Sequence, residues 1–222
     1  MKRITKVLGT SIVAAALSLS VQANLLTDPG FESGAPGQPN PIPVPAGANG
    51  GWAVFNGATF STAAAETGTW GISESEGVGA NWNFEAPYQV SAGASAGAVY
   101  TLTADFKTPT GITETSPSWL PAIIQLTFFN AAGADLGTVE TGGVGANAIH
   151  YMPTASWQTA TVSATAPAGA VYISSYLAMQ ENASNTGVDV IYWDNANLVP
   201  EPTILALLTL ALPAYLLRRK IG

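Results

Sequence analysis

Three observations predict that the 222-residue chain folds mainly as an all-β sandwich. Its middle part is rich in Gly, Pro, Ser, Thr and Ala, and it holds short segments in which apolar and polar residues alternate. Turn-forming residues separate these segments, and no long amphipathic helical repeat occurs. Both ends carry apolar runs next to basic residues, which leaves the stretch 24–199 for one domain of ordinary size.

Six segments of the middle part have the pattern of a strand. Residues 100–106 alternate in polarity, and residues 123–129 form an apolar, β-branched and aromatic run typical of a buried strand. Residues 130–135 read as a hairpin turn into a strand at 136–140. Many short strands at this spacing favour a sandwich. The remaining three candidate strands are residues 157–163, 171–179 and 188–199.

Several of these segments, in order, resemble jelly-roll carbohydrate-binding modules of the galactose-binding-like type. Residues 24–26 leading to Gly-Phe-Glu-Ser-Gly at 30–34 resemble their opening strand and turn. The resemblance implies a single jelly-roll β-sandwich over residues 24–199 and leaves the ligand open, because one fold serves many functions. Residues 88–90 with 98–107 resemble the central hairpin, 156–158 with 166–172 the late hairpin, and 192–198 the closing strand.

The N-terminal residues 1–23 have the three parts of a signal peptide. A basic start with Lys2, Arg3 and Lys6 precedes an apolar run at 7–21, and Val-Gln-Ala at 21–23 suits a signal peptidase. We predict a removable signal helix with cleavage after Ala23. The alternative is an uncleaved anchor, for which the run is short.

The C-terminal residues 200–222 combine Pro-Glu-Pro, an apolar run at 203–217 and a basic end. Such a run predicts an apolar helix that enters the membrane with its basic end on the cytoplasmic side. The arrangement resembles the PEP-CTERM sorting signal of Gram-negative bacteria. That resemblance implies processing by a membrane-embedded exosortase, after a transient inner-membrane anchor, and release to the cell surface or extracellular matrix. An ordinary C-terminal anchor is the alternative. The matching residues are Pro200, Glu201, Pro202, Arg218, Arg219 and Lys220.

Charge is divided sharply along the chain. All 14 acidic residues lie between Asp28 and Glu201, where Lys107 is the one basic residue, so this stretch has a net charge of −13. Such a surface repels phosphate backbones, which excludes a nucleic-acid partner. The acidic field would attract divalent cations. The alternative is that the acidic residues serve only solubility.

Two sites follow from the resemblance and from residue chemistry. In the modules it resembles, the opening turn and closing strand hold a structural calcium, which implies Glu32 and Asp194 as Ca²⁺ ligands here, together with backbone carbonyls. The alternative is that both carboxylates cap turns. Trp82, Trp119 and Tyr151 lie in polar or turn-like settings and are the candidates for stacking on a sugar ring. The other tryptophans, Trp52, Trp70, Trp157 and Trp193, are predicted to lie in the core or at its rim.

The sequence gives little support for catalysis. His150 is the only histidine and there is no cysteine, so multi-histidine zinc sites and cysteine nucleophiles are excluded. Glu74 and Glu76 are a possible carboxylate pair for glycoside chemistry, but they read as a solvated loop or strand face. We therefore expect an exported, non-catalytic protein that binds or lies within extracellular polysaccharide. The alternatives are a structural or adhesive matrix component without a sugar pocket and, third, a secreted glycoside-acting enzyme.

Overall fold

The computed structural model describes residues 23–37, 50–76, 84–109, 122–141, 154–180 and 189–201. Residues 24–200 make up one compact unit, and Ala23 and Glu201 are the described residues outside it. The predicted signal helix and C-terminal apolar helix therefore lie outside the described residues. Among the residues that the structure does describe, no helix has the length and apolarity of a membrane span.

The described residues form ten strands in two antiparallel five-stranded sheets, which confirms the predicted all-β sandwich. We call the sheet with the order β1-β4-β9-β6-β7 the first sheet, and the sheet with the order β2-β3-β10-β5-β8 the second sheet. A short 3-10 turn at Thr62–Ala64 follows β2. The strands are β1 Ala53–Phe55, β2 Thr59–Ser61, β3 Gly71–Glu76, β4 Phe84–Ala92, β5 Val99–Lys107, β6 Ala122–Phe129, β7 Asp135–Thr141, β8 Gln158–Thr165, β9 Tyr172–Gln180 and β10 Asp189–Pro200.

All six strands predicted from the sequence pattern are present, within about two residues of their predicted bounds. Strand β5 shows why the pattern works, because every second side chain is buried and the rest face outward. The turn between β6 and β7 is closed by Asn130, whose side-chain oxygen accepts hydrogen bonds from the backbone N–H groups of Ala132 and Ala134, both at 2.9 Å. An Asn at this position fits the turn chemistry that the sequence indicated.

The central core lies between the two sheets. Phe106 of β5 and Trp193 of β10 are fully buried there, with ring centroids 5.6 Å apart. Trp52 is 1% exposed, and its indole N–H donates to the carbonyl oxygen of Asp28 at 2.9 Å. The prediction that Trp52 and Trp193 belong to the core is confirmed.

The two hairpins that the resemblance implied are not formed, because β4 and β9 lie in the first sheet whereas β5 and β8 lie in the second.

Other local expectations also differ from the structure. Strands β1 and β2 were not predicted, because each is only three residues long. Residues 73–76 belong to strand β3, where the sequence left a solvated loop or a strand face open. Glu74 is not on a solvated face but fully buried, on the same side of β3 as Ile72. Residues 24–26 form no strand, although Leu25 N–H donates to the carbonyl oxygen of Leu198 at 2.8 Å.

Pro200, the first proline of Pro-Glu-Pro, is itself the last residue of β10. It pairs with Tyr100 of β5, while the pairing of β10 with β3 stops at Trp193. At its C-terminal end β10 therefore has β5 as its strand partner on one side only, and a residue without an N–H is tolerated at such an edge.

Candidate functional site

The first sheet has an outer face that points away from the central core. In β9, Ile173, Leu177 and Met179 pack into the core, so Tyr176 and Ala178 project to the other side. Tyr88 of β4 is the cross-strand partner of Tyr176. A small separate cluster of fully buried side chains also lies on this face, formed by Ala86, Ile123 and Ala178 with Phe55 and Tyr176 packed against it.

A single row of cross-strand neighbours, which we call the tyrosine row, crosses this outer face. Tyr88 pairs with Tyr176, Tyr176 with Gln125 of β6, and Gln125 with Glu140 of β7. Residues directly opposite one another on one face are within contact distance of long side chains. The row thus presents two phenol rings, an amide and a carboxylate in a line across four adjacent strands.

The rows on either side of the tyrosine row differ in character. Phe55 lies on one side, 6.0 Å from the ring of Tyr88 and 5.6 Å from the ring of Tyr176 between centroids. The two tyrosine rings are 6.1 Å apart and stacked, with 29° between their planes. On the other side, the Thr127 and Thr138 hydroxyls are 2.9 Å apart, and Gln125 Nε2 donates to the Thr127 hydroxyl at 3.0 Å.

The hydroxyl of Tyr176 remains protonated well beyond neutral pH. Burial raises the pKa of Tyr176 to about 12, and the nearby charge of Glu74 and the Tyr88 hydroxyl contribute in the same direction. A neutral phenol both donates and accepts a hydrogen bond. In the tyrosine row, Tyr88, Tyr176 and Gln125 are half-buried and Glu140 is exposed. The row therefore offers aromatic surface, hydroxyl groups, an amide and a carboxylate, which together suit a ligand with an apolar face and several hydroxyls.

The three aromatic residues proposed from the sequence, Trp82, Trp119 and Tyr151, lie outside the described residues. The strand ends that flank their segments are described. Phe84, Ala122 and Thr141 lie at one end of the first sheet, as the pairings of β4 and β6 with the end of β9, and of β6 with β7, show. The tyrosine row lies in the same sheet, and sequence reasoning missed it because both tyrosines read as ordinary strand residues.

Glu32 and Asp194, the proposed calcium ligands, both bind the loop formed by residues 65–70. Asp194 is fully buried, and its carboxylate accepts from the N–H groups of Glu66 at 2.8 Å, Thr67 at 3.0 Å and Asn195 at 2.7 Å. The exposed Glu32 carboxylate accepts from the backbone N–H groups of Thr69 and Trp70 at 3.0 to 3.2 Å.

A glycine allows this loop to lie against Glu32. Gly68 has a positive φ of 66°, and a Cβ there would overlap the Glu32 carboxylate. At the other end of the loop, a Cβ on Gly71 would overlap the carbonyl oxygen of Ala64 and lie 2.8 Å from that of Trp193. The backbone conformation and the close approach both require glycine.

The contacts of Glu32 and Asp194 are those of carboxylates that cap turns. Five backbone N–H groups point at the two side chains, whereas Ca²⁺ takes six to eight oxygens, carbonyl oxygens among them. Within the described part of the chain, no group of three or more acidic or histidine side chains is arranged to hold a metal ion. Calcium binding at Glu32 and Asp194 therefore stays a prediction from the resemblance alone.

Next to Asp194 lies a pair of carboxylates on the outer face of the second sheet. Asn195 Nδ2 donates to Glu66 Oε2 at 3.0 Å and to Asp105 Oδ2 at 3.3 Å. Burial raises the pKa of Glu66, and the hydrogen bond and negative charge of Asp105 raise it further. Asp194 also has a raised pKa, because burial outweighs its three backbone hydrogen bonds.

No protein-family model matches the chain, and no curated protein matches it. Solved structures similar to it include carbohydrate-binding modules. TmCBM61 in complex with β-1,4-galactotriose has 16% sequence identity to this chain and a TM-score of 0.47, and the match covers 81% of this chain and 99% of the TmCBM61 chain. A family 16 carbohydrate-binding module has 19% identity and a TM-score of 0.43, covering 64% and 85%.

The enzymatically active domain of tailspike protein 4 from bacteriophage CBA120 has 9% identity and a TM-score of 0.54. It covers 80% of this chain, which spans only 21% of the tailspike structure. This similarity shows the β-sandwich fold. At such low identity it assigns no activity to the chain.

Proposed function

We propose that this protein is an exported, non-catalytic component of the extracellular matrix that binds polysaccharide through the tyrosine row. The observation that carries the proposal is the alignment of Tyr88, Tyr176 and Gln125 on the outer face of the first sheet, next to Phe55. Aromatic side chains have an apolar face and a polar tip, which suits a ligand with one apolar face and a rim of hydroxyls.

The aromatic residues predicted from the sequence extend this proposal. Trp82 is two residues before β4, which carries Tyr88, and Trp119 is three residues before β6, which carries Gln125. At about 3.3 Å per residue, Phe84 lies only about 13 Å along β4 from Tyr88. We propose that Trp82, Trp119 and Tyr151 add contacts to a polysaccharide chain at that end of the sheet.

Export and sorting belong to the same proposal. Asn24, the first residue after the predicted signal cleavage, accepts from Leu198 N–H at 2.9 Å and donates to the carbonyl oxygen of Ala196 at 3.2 Å. Asn24 is therefore hydrogen-bonded to the last strand of the sandwich, whereas Ala23 and Glu201, which lie just outside the folded unit, are exposed. These contacts support cleavage before Asn24. We propose in addition that exosortase processes the chain near Pro-Glu-Pro at 200–202, where β10 ends.

Co-sedimentation with purified exopolysaccharide from the producing cells tests the binding function. Wild-type protein should sediment with the polysaccharide, and a Tyr88→Ala, Tyr176→Ala double variant should bind at least about tenfold more weakly, which corresponds to about 1.4 kcal/mol. Tyr88→Phe keeps the ring and should retain most of the binding. Thr165→Ala, on an exposed position of β8 in the other sheet, is the matched control.

Equal binding by the double variant and the wild type would exclude the tyrosine row as the site. An absence of binding by the wild type would favour the alternative, a structural or adhesive component without a sugar pocket. Thermal melts of all variants identify any loss of binding that is due to unfolding.

A further inference from the structure

The only basic residue of the stretch from Asp28 to Glu201 is held between two aromatic rings. Lys107 is the last residue of β5, and its Nζ lies 4.5 Å from the ring centroid of Trp157 and 5.9 Å from that of Tyr192. Tyr192 is the cross-strand partner of Lys107, and Trp157 directly precedes β8 on the other side of β5. All three side chains are half-buried.

This group lies on the outer face of the second sheet, opposite to the face that carries the tyrosine row. In β5, Tyr100, Leu102 and Phe106 point into the core, so Lys107 points outward. In β10, Ile191 and Trp193 point inward, so Tyr192 also points outward. We call Lys107, Trp157 and Tyr192 the lysine site.

The ammonium group of Lys107 is not used in an ion pair within the described part of the chain. The nearest acid on its own strand and face, Asp105, accepts from the Thr159 hydroxyl at 2.6 Å and from Asn195 Nδ2 at 3.3 Å. Aromatic faces attract an ammonium group through the ring quadrupole without accepting its N–H groups as an oxygen would. The rings thus hold the charge in place and leave donors for an oxygen ligand.

We propose that the lysine site binds a sugar ring that bears a carboxylate, as a second glycan site that extends the proposed function to acidic polysaccharide. The ammonium group would pair with the carboxylate, while Trp157 and Tyr192 contact the apolar surface of the ring. The net charge of −13 opposes such a ligand at long range. At physiological salt, interactions between exposed charges more than about 8 Å apart are largely screened, so most of this charge acts weakly at the lysine site. The acid that lies nearer on the same face, Asp105, is already hydrogen-bonded to Thr159 and Asn195.

A short oligogalacturonate and its fully methyl-esterified form are the matched probes, because the ester keeps the ring and removes the charge. Calorimetric titration of the exported protein should show tighter binding of the acid than of the ester. Lys107→Gln should lower the affinity for the acid about fivefold and the affinity for the ester clearly less, because the ester carries no charge for the ammonium group to pair with. Lys107→Arg keeps both the charge and the attraction to the rings, and should retain binding of the acid.

Trp157→Ala should weaken both probes, and Thr165→Ala is the control on the same sheet. Equal affinity for acid and ester, an unchanged affinity in Lys107→Gln, or failure of Lys107→Arg to bind would each overturn the lysine site. The Tyr88→Ala, Tyr176→Ala variant separates this proposal from the proposed function, because it should still bind oligogalacturonate. If that variant loses the acid probe while Lys107→Gln keeps it, the acid binds at the tyrosine row and the lysine site is refuted.

Discussion

Replacing Asp194 with alanine removes three hydrogen bonds from one buried side chain. The carboxylate accepts from the backbone N–H groups of Glu66, Thr67 and Asn195, and none of its surface is exposed. A hydrogen bond to a charged group contributes about 1.5 to 3 kcal/mol, but the raised pKa of Asp194 shows that burial already opposes the charge. We therefore expect a loss below the sum of three such bonds, about 3 kcal/mol.

For a domain of this size, that loss corresponds to a fall in the melting temperature of about 6 to 12 °C, measured by differential scanning calorimetry. Glu32→Ala is the matched comparison, because Glu32 binds the same loop from an exposed position. Its loss should be about 1 kcal/mol. A melting temperature of Asp194→Ala within about 2 °C of the wild type, or a larger loss in Glu32→Ala, would refute the view that the buried carboxylate anchors this loop.

Three further predictions concern the same part of the molecule. The pKa values of Glu66 and Asp194 are raised, so above the ordinary carboxyl pKa the folded state binds more protons than the unfolded state. The melting temperature should therefore rise on acidification from about pH 7 to about pH 5, and Glu66→Gln should flatten this slope. Because backbone N–H groups engage Glu32 and Asp194, a chelator should leave the melting curve unchanged; a fall of several degrees would show that the calcium implied by the resemblance holds the loop. Gly71→Ala should lower the free energy of unfolding by about 2 kcal/mol, measured by urea denaturation, because the new Cβ overlaps the Ala64 carbonyl group. Gly97→Ala should lower it less, because a Cβ there meets no atom within 4 Å and only the positive φ opposes it.

The longer strands could be predicted from the sequence because burial on one face imposes alternation. Strand β5 follows this rule along its whole length, and β8 follows it closely. Strand β3 breaks the rule, since Glu74 occupies an inward position where alternation predicts an apolar residue. Nothing in Ser-Glu-Ser-Glu distinguishes a buried strand from a solvated loop or strand face, so the burial of Glu74 could be found only from the structure.

The candidate site was predictable in part. Glu32 and Asp194 meet at one loop, as the resemblance implies, but sequence reasoning could not show that backbone N–H groups face them. Tyr172 and Tyr176 are four residues apart in β9 and lie on the face opposite to its core-facing residues, which is a signal for an aromatic outer face. The alignment of Tyr88 with Tyr176 depends on strand register, and register is set by pairing over the whole sheet rather than by any local segment.

Amide chemical shifts measured during titration with oligosaccharide fragments of the exopolysaccharide test the central claim most directly. Binding at the tyrosine row predicts shifts concentrated at the outer-face positions of β4, β9 and β6, around Tyr88, Tyr176 and Gln125, with the buried Asp194 region unaffected. Saturable binding with no shifts at these three strands would contradict the assignment of the site. An absence of any shift at millimolar fragment concentrations would contradict the proposed function itself.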